Sequence, residues 1–341
     1  MTCDPEAVFL KACRGEPVPF TPVWLMRQAG RYQKDYRELR ARVPFLELCR
    51  SPELAAEVTV SAATKLGTDA AIIFSDILMV LEPLGMKVEF VKGEGPQIDA
   101  PIREPRDLAR LKDADASALG FVHEAVRRAR EALPASVPLI GFAGAPFTVA
   151  SYLIEGGPSR DYAWTKRFLW SWPDAWRELL ARIARITRDH LVRQVAAGAD
   201  VIQLFDTWVG CLCEEDYRTH VLDATSATLR DLGAPTIHFG LAQADLLPAI
   251  RAAGGDVIGV DARTDIGLAR RVLGWETPVQ GNLDPAALLL EPEKMKEHVK
   301  RILERAGDRG HVFNLGHGIL QETPEGNARA LVDMVHELSA R

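Results

Sequence analysis

The run Pro22-Val23-Trp24-Leu25-Met26-Arg27-Gln28-Ala29-Gly30-Arg31-Tyr32 passes abruptly from apolar residues into two arginines four positions apart. Guanidiniums held that close repel one another unless an anion lies between them, and their planar fork matches a carboxylate or phosphate. The competing reading is a pair of solvated arginines bonded to Asp35 or Glu38, a surface arrangement worth ~0–1 kcal/mol. Asp76, in Phe74-Ser75-Asp76-Ile77-Leu78, offers a carboxylate either as a helix N-cap or for chemistry. His317 stands between Gly316 and Gly318, which leaves the backbone free to approach a ligand. An arginine pair, an isolated aspartate and a glycine-flanked histidine would suit a small molecule bearing several carboxylates. They would also suit a developing positive charge that needs a counter-ion.

Short apolar, β-rich runs recur at Val23–Met26, Ala70–Phe74, Leu139–Phe142, Val201–Phe205, Thr236–Phe239, Val257–Val260, Pro278–Gln280 and Val312–Leu315. Helical patterns lie between them at Pro52–Leu66, Leu119–Leu133, Asp174–Ala197, Glu214–Asp231, Ala242–Ala253, Ile266–Leu273 and Pro292–Arg305, with Pro324–Ser339 closing the chain. In Asp174–Ala197, Leu179, Ile183, Ile186, Leu191 and Val195 recur at helical spacing while Arg182, Arg185, Arg188 and Arg193 take much of the other side. Strands that alternate with helices need crossovers and hence parallel pairing. Eight such units close a (β/α)8 TIM-type barrel, with an open doubly wound sheet as the alternative. We expect one domain over residues 1–341, with a long excursion at about 77–138 in which Met86–Val91 and Pro96–Asp99 form a hairpin around Gly93-Glu94-Gly95.

In such a barrel the active site assembles just past the carboxyl ends of the strands. Those positions hold Arg27, Gln28 and Arg31, then Ser75 and Asp76, Gly144-Ala145-Pro146, Asp206 and Thr207, Gly240, Asp261, Asn282, and finally Gly316-His317-Gly318. Asp206 and Asp261 read equally as polar caps of the mouth. His238, inside a strand, reads as a satisfied core histidine. Trp164, Trp170, Trp172 and Trp176 read as helix packing or a subunit contact.

The 41 basic and 47 acidic residues are spread along the chain for a net charge of −6, which gives no nucleic-acid or anionic-membrane surface. The early Asp4 and Glu6 and the lack of a long apolar run before Gly15 argue against a signal peptide, so a cytoplasmic protein is expected. Leu133–Ile154 is uncharged, but Pro134, Pro138, Pro146, Gly141 and Gly144 parse it as strand, turn and helix and not as a membrane span. Cys3, Cys13, Cys49, Cys211 and Cys213 lack metal-site spacing and are expected to be reduced thiols. No Gly-x-Gly-x-x-Gly follows a strand and no P-loop occurs, so neither a metal nor a cofactor is expected.

Five segments resemble the uroporphyrinogen decarboxylase family, in order and across nearly the whole chain. They are Pro22 to Arg31, Phe74-Ser75-Asp76-Ile77-Leu78, Gly141 to Thr148 running on to Tyr152 and Glu155-Gly156, Gln280-Gly281-Asn282-Leu283-Asp284-Pro285, and Asn314 to Gly318. The resemblance implies a distorted (β/α)8 barrel, commonly a homodimer. It also implies a cofactor-independent decarboxylase that removes carbon dioxide from the four acetate side chains of the tetrapyrrole uroporphyrinogen III in haem biosynthesis. It further implies that Arg27 and Arg31 bind substrate carboxylates and that Asp76 accepts hydrogen bonds from the pyrrole N–H groups, with Gln28 expected among the substrate-binding residues. Tyr152 would then lie near Asp76 and the reacting acetate, and His317 would hold a carboxylate. Thr207 stands where some members carry Ser, keeping the hydroxyl. Arg27 and a water held by Arg27 are both candidates for the proton donor.

A corrinoid-dependent methyltransferase of the same superfamily would need His-x-Cys and a later cysteine as zinc ligands. Here His238-Phe239-Gly240 stands instead, and no cysteine follows Cys213. A barrel that only carries a tetrapyrrole would not need Asp76 and Tyr152 beside the arginine pair.

Overall fold

A computed structural model describes residues 2–91, 95–241 and 244–341. Strand β1 (Ala71–Ile72) is followed by β2 (Val88–Val91) and β3 (Gly95–Ile98). Then come β4 (Leu139–Gly144), β5 (Val201–Asp206), β6 (Thr236–Gly240), β7 (Val257–Gly259), β8 (Val279–Gln280) and β9 (His311–Val312). Strands β1 and β4 to β9 pair in that order as one all-parallel sheet, with helices in the crossovers. The middle strands are buried on both faces, which their near-continuous apolar sequences require. Trp24, Ile140, Val201, Ile237, Phe239, Val257 and Val312 pack together inside the curl.

The eighth wall is where the expectation needs correction, because Val23–Met26 does not extend a ladder. Val23 makes a single parallel bridge to Phe313, Trp24 N–H donates to the Phe313 carbonyl at 3.3 Å, and Asp69 N–H donates to the Val23 carbonyl at 2.9 Å. Beyond that, side chains replace backbone partners. Met26 N–H donates to Asn314 Oδ1 at 3.0 Å, and Leu25 N–H to Gln28 Oε1 at 3.3 Å. The chain turns at once, with Gln28 N–H on the Leu25 carbonyl at 2.8 Å. An apolar run signals burial but not which groups satisfy its N–H donors. The result is the expected (β/α)8 barrel, distorted at its closure.

Most helices lie where periodicity puts them, and Pro52–Leu66 and Ile266–Leu273 match at both ends. The expected Glu214–Asp231 helix is two, Glu214–His220 and Leu222–Leu229, broken at Val221. The helix expected from Ala242 begins at Leu247, and Ala242 and Gln243 lie outside the described residues. The hairpin of β2 and β3 forms as expected, with Gly93 and Glu94 outside the described residues. It docks on the helix Pro146–Glu155, as Ile98 N–H donates to the Gly156 carbonyl at 2.8 Å and Ile102 N–H to the Leu153 carbonyl at 3.0 Å. All five cysteines are free thiols. Among the described residues no helix is long and apolar enough to cross a membrane.

Candidate active site

At the carboxyl end of the barrel, Arg27 sits in the left-handed region at φ 62°, a conformation that non-glycine residues adopt at a cost. It is exposed, and neither it nor exposed Arg31 bonds or pairs with a carboxylate among the described residues. The surface pairing weighed from sequence does not form, since Asp35 is taken by Lys65 and Glu38 by Lys34. Gln28, by contrast, is fully buried. Its Oε1 accepts from Leu25 N–H, its Nε2 donates to the Ala70 carbonyl at 3.3 Å, and its own carbonyl accepts from the Tyr32 hydroxyl at 2.7 Å. Gln28 therefore holds the turn that presents the two arginines.

Asp76 follows β1 by a few residues. Its Oδ1 accepts from Leu78 N–H at 2.8 Å, so it does cap a turn, while Oδ2 has no hydrogen-bond partner among the described residues and the side chain is half-buried. Burial raises the Asp76 carboxyl to about 6, against the lowering pull of the Leu78 N–H and of Arg27. Tyr152 lies on the helix Pro146–Glu155, which Pro146 opens directly after β4. Burial raises its phenol pKa, Asp76 raises it further, and Arg27 opposes them, so the three groups share one field. The ring of Tyr152 stacks on Trp208 with centroids 3.6 Å apart and planes 26° apart. The backbone of Trp208 is anchored in turn, its amide N–H donating to Thr148 Oγ1 at 3.1 Å.

His317 completes the group. Gly318 N–H donates to His317 Nδ1 at 2.6 Å, so the neutral ring carries its proton on Nε2. Burial lowers the imidazole pKa, Arg27 and Arg263 lower it further, and Asp261 opposes them. The flanking glycines have a tighter cause than general backbone freedom. A Cβ at Gly318 would stand 2.4 Å from Arg27 Cδ, and one at Gly316 would stand 2.1 Å from Ala262 N. Arg27, Asp76, Tyr152 and His317 are thus brought together at the mouth. Arg31 stands one turn away, and Thr207 is half-buried at the end of β5 with no hydroxyl bond to a described residue.

Asp206 does not reach this mouth. Side chains alternate along a strand, and Asp206 shares its face with Ile202 and Leu204, toward the helices. It is fully buried, Thr148 donates to its Oδ1 at 2.8 Å, and its Oδ2 lies 4.0 Å from His238 Nε2. Burial raises Asp206 to about 7 and lowers His238 to about 4. His238 is satisfied on one side only, by the Gly254 carbonyl at 3.2 Å. Among the described residues no three His, Cys, Asp or Glu side chains gather as a metal site.

The profile of the family described as uroporphyrinogen decarboxylase (URO-D) matches residues 4–338. The chain belongs to the uroporphyrinogen decarboxylase family. It is 52% identical over 335 residues to the uroporphyrinogen decarboxylase of Sorangium cellulosum, covering 97% of this chain and 96% of that one. It is 50% identical over 337 residues to that of Carboxydothermus hydrogenoformans, with 97% and 96% covered. A solved methyltransferase from Methanosarcina mazei superposes with a TM-score of 0.84 over 98% of this chain and 99% of that one. At 23% identity that likeness speaks for the shared fold. Family membership gives the residues at the mouth their context, yet two features were hidden in the sequence. The Tyr152–Trp208 stack joins segments far apart in the chain. The outward face of Asp206 follows from strand parity, which can be read once a neighbouring inward residue is known.

Proposed function

We infer that this chain is a carboxy-lyase that converts the acetate side chains of uroporphyrinogen to methyl groups, releasing carbon dioxide. The observation that carries it is the pair Arg27 and Arg31, exposed and without a carboxylate partner among the described residues, beside a half-buried Asp76 with one oxygen unbonded among the described residues. Protonation of a pyrrole ring carbon makes the ring an electron sink. The C–C bond to the carboxylate then breaks, its electron pair passes into the ring, and carbon dioxide leaves. A second proton adds to the exposed methylene and the ring proton departs, so each acetate consumes one net proton. Asp76 supplies the counter-charge under the pyrrole N–H groups, where a preorganised anion in a partly dry site acts most strongly. Arg27, Arg31 and His317 bind carboxylates. Tyr152 lies beside Asp76, Thr207 offers a hydroxyl at the rim, and Gln28 holds the arginine turn. A guanidinium releases its proton reluctantly, which favours a water held by Arg27 as donor.

We read the chain as one domain acting in the cytoplasm as a homodimer, and light scattering of the purified protein reads its assembly state. Anaerobic incubation with uroporphyrinogen, followed by chromatography, should give a stepwise series of products with fewer carboxylates. Unaltered substrate would overturn the assignment. Exhaustive chelation should leave the rate unchanged, and a loss restored by one specific metal would contradict cofactor independence.

A further inference from the structure

The turn after β7 contains an arrangement that the roles above leave unused. Asp261 is 1% exposed, yet it is bonded to an exposed base. Its Oδ2 accepts from Arg263 Nε at 2.7 Å and its Oδ1 from Arg263 N–H at 3.2 Å, while the Arg263 side chain is 68% exposed. Burying the Asp261 carboxylate carries a desolvation cost that a mostly exposed guanidinium repays only in part, so the pair is poorly explained as net stabilisation. The turn itself is locked. Asn282 Nδ2 donates to the Asp261 carbonyl at 2.7 Å and to the Thr264 carbonyl at 2.6 Å, and Gly316 packs against Ala262 so closely that no Cβ fits. Asp261 is thereby fixed beside the loop that carries His317.

Only Nε of Arg263 is used. Neither terminal nitrogen donates to a described residue, so the outer edge of the guanidinium keeps its fork for a planar anion. The position is shared with the site, since the Arg263 charge reaches both His317 and Tyr162, and Tyr162 packs edge-on against the Trp208 that stacks on Tyr152.

We propose that Arg263 is a third cationic arm of the cleft, binding a carboxylate on the rim of the substrate beside the one held by His317, and that Asp261 is its positioning residue. This rests on the reading of the mouth as the site of a multiply carboxylated tetrapyrrole. That molecule carries more carboxylates than Arg27, Arg31 and His317 can engage, and a preorganised arginine binds without a further ordering cost.

The test is steady-state kinetics with uroporphyrinogen under anaerobic conditions, with melting temperatures measured in parallel. Arg263→Gln should raise KM about tenfold or more, the range of a lost charge-assisted hydrogen bond, with kcat close to wild type, and should lower the melting temperature because the buried Asp261 loses its charged partner. Arg263→Lys should lie between, because an ammonium cannot make the bidentate contact. Asp261→Asn should raise KM less than Arg263→Gln and add nothing in the double variant. A KM within twofold of wild type for Arg263→Gln would overturn the proposal, as would a fall in melting temperature without a change in KM. Arg31→Ala separates the two levels. If it too leaves KM unchanged, the reading of the mouth fails, and if it raises KM while Arg263→Gln does not, only the third arm fails. Should Asp261→Asn not fold, the two Arg263 variants still decide.

Discussion

Arginine serves opposite ends of this barrel in opposite ways. At the amino-terminal end Arg130 and Arg270 are 4% and 1% exposed. Arg130 donates to the Val137, Leu133 and Pro134 carbonyls at 2.8, 3.0 and 2.6 Å and pairs with Asp200 at 2.9 Å. Asp200 also accepts the N–H of Leu139, which opens β4. Arg270 donates to the carbonyls of Ala306, Trp275, Thr277 and Arg309, gathering the loops before β8 and β9. At the carboxyl-terminal end Arg27 and Arg31 have no carboxylate partner among the described residues. Spent donors mark residues that hold loops, and unspent donors mark residues that wait for a ligand. The barrel separates the two roles by end, as the architecture leads one to expect.

The sharpest way to break this comparison is at the closed end. Arg130→Met should strand the Asp200 carboxylate and three carbonyls, and losing one partner of a buried pair costs ~3–5 kcal/mol. Denaturant unfolding should show that loss, while KM of the folded enzyme at low temperature stays at wild type. An unchanged midpoint would deny Arg130 its role. Arg31→Ala should do the reverse. KM rises by the worth of a charge-assisted hydrogen bond, ~1.5–3 kcal/mol, and the melting temperature does not move. A wild-type KM would make Arg31 an ordinary surface residue.

A smaller effect follows from Asp76 itself. Its ordinary carboxyl value is 3.8, raised in the fold to about 6, mainly by burial. Below 3.8 folded and unfolded chains are both protonated there, and between the two values only the unfolded chain ionises. This group's contribution to stability is therefore present at acid pH and lost as pH rises through about 6. Asp76→Asn should accordingly raise the melting temperature relative to wild type more at pH 8 than at pH 4. An equal difference at both would mean that the carboxylate carries no burial penalty. The smallest effect belongs to Arg177, paired with Asp174 in solvent at 2.8 Å. Arg177→Ala should alter neither unfolding nor kinetics, and a clear change in either would show that partner count is a poor guide to role.

The alternation of apolar runs and helical patterns made the barrel legible, because parallel strands buried on both faces need such runs. Its distorted closure was not, since Asn314 and Gln28 satisfy the backbone of Val23–Met26 from positions that no local pattern links. At the mouth, Arg27, Asp76 and His317 were legible because chemistry restricts residue type at strand exits, whereas Tyr152, inside the helix Pro146–Glu155, was legible only through the family resemblance. Gln28 lay beside them in sequence but beneath them in space. Asp206 ended a strand as an active-site residue would, yet faces the helices, and nothing in the sequence singles out Arg263, which only the burial of Asp261 sets apart.

Turnover of Asp76→Asn tests the central claim most directly, because the asparagine carbonyl keeps the Leu78 cap while the other carboxylate oxygen becomes an uncharged amide donor. Measured anaerobically with uroporphyrinogen across pH, wild-type kcat/KM should fall as the medium is acidified through about 6, the value to which burial raises Asp76. The variant should fold, lose about 10²–10³ in kcat, and show no such step. A variant that turns over at the wild-type rate with the same acid limb would contradict the assignment of Asp76 as the counter-ion of the protonated pyrrole.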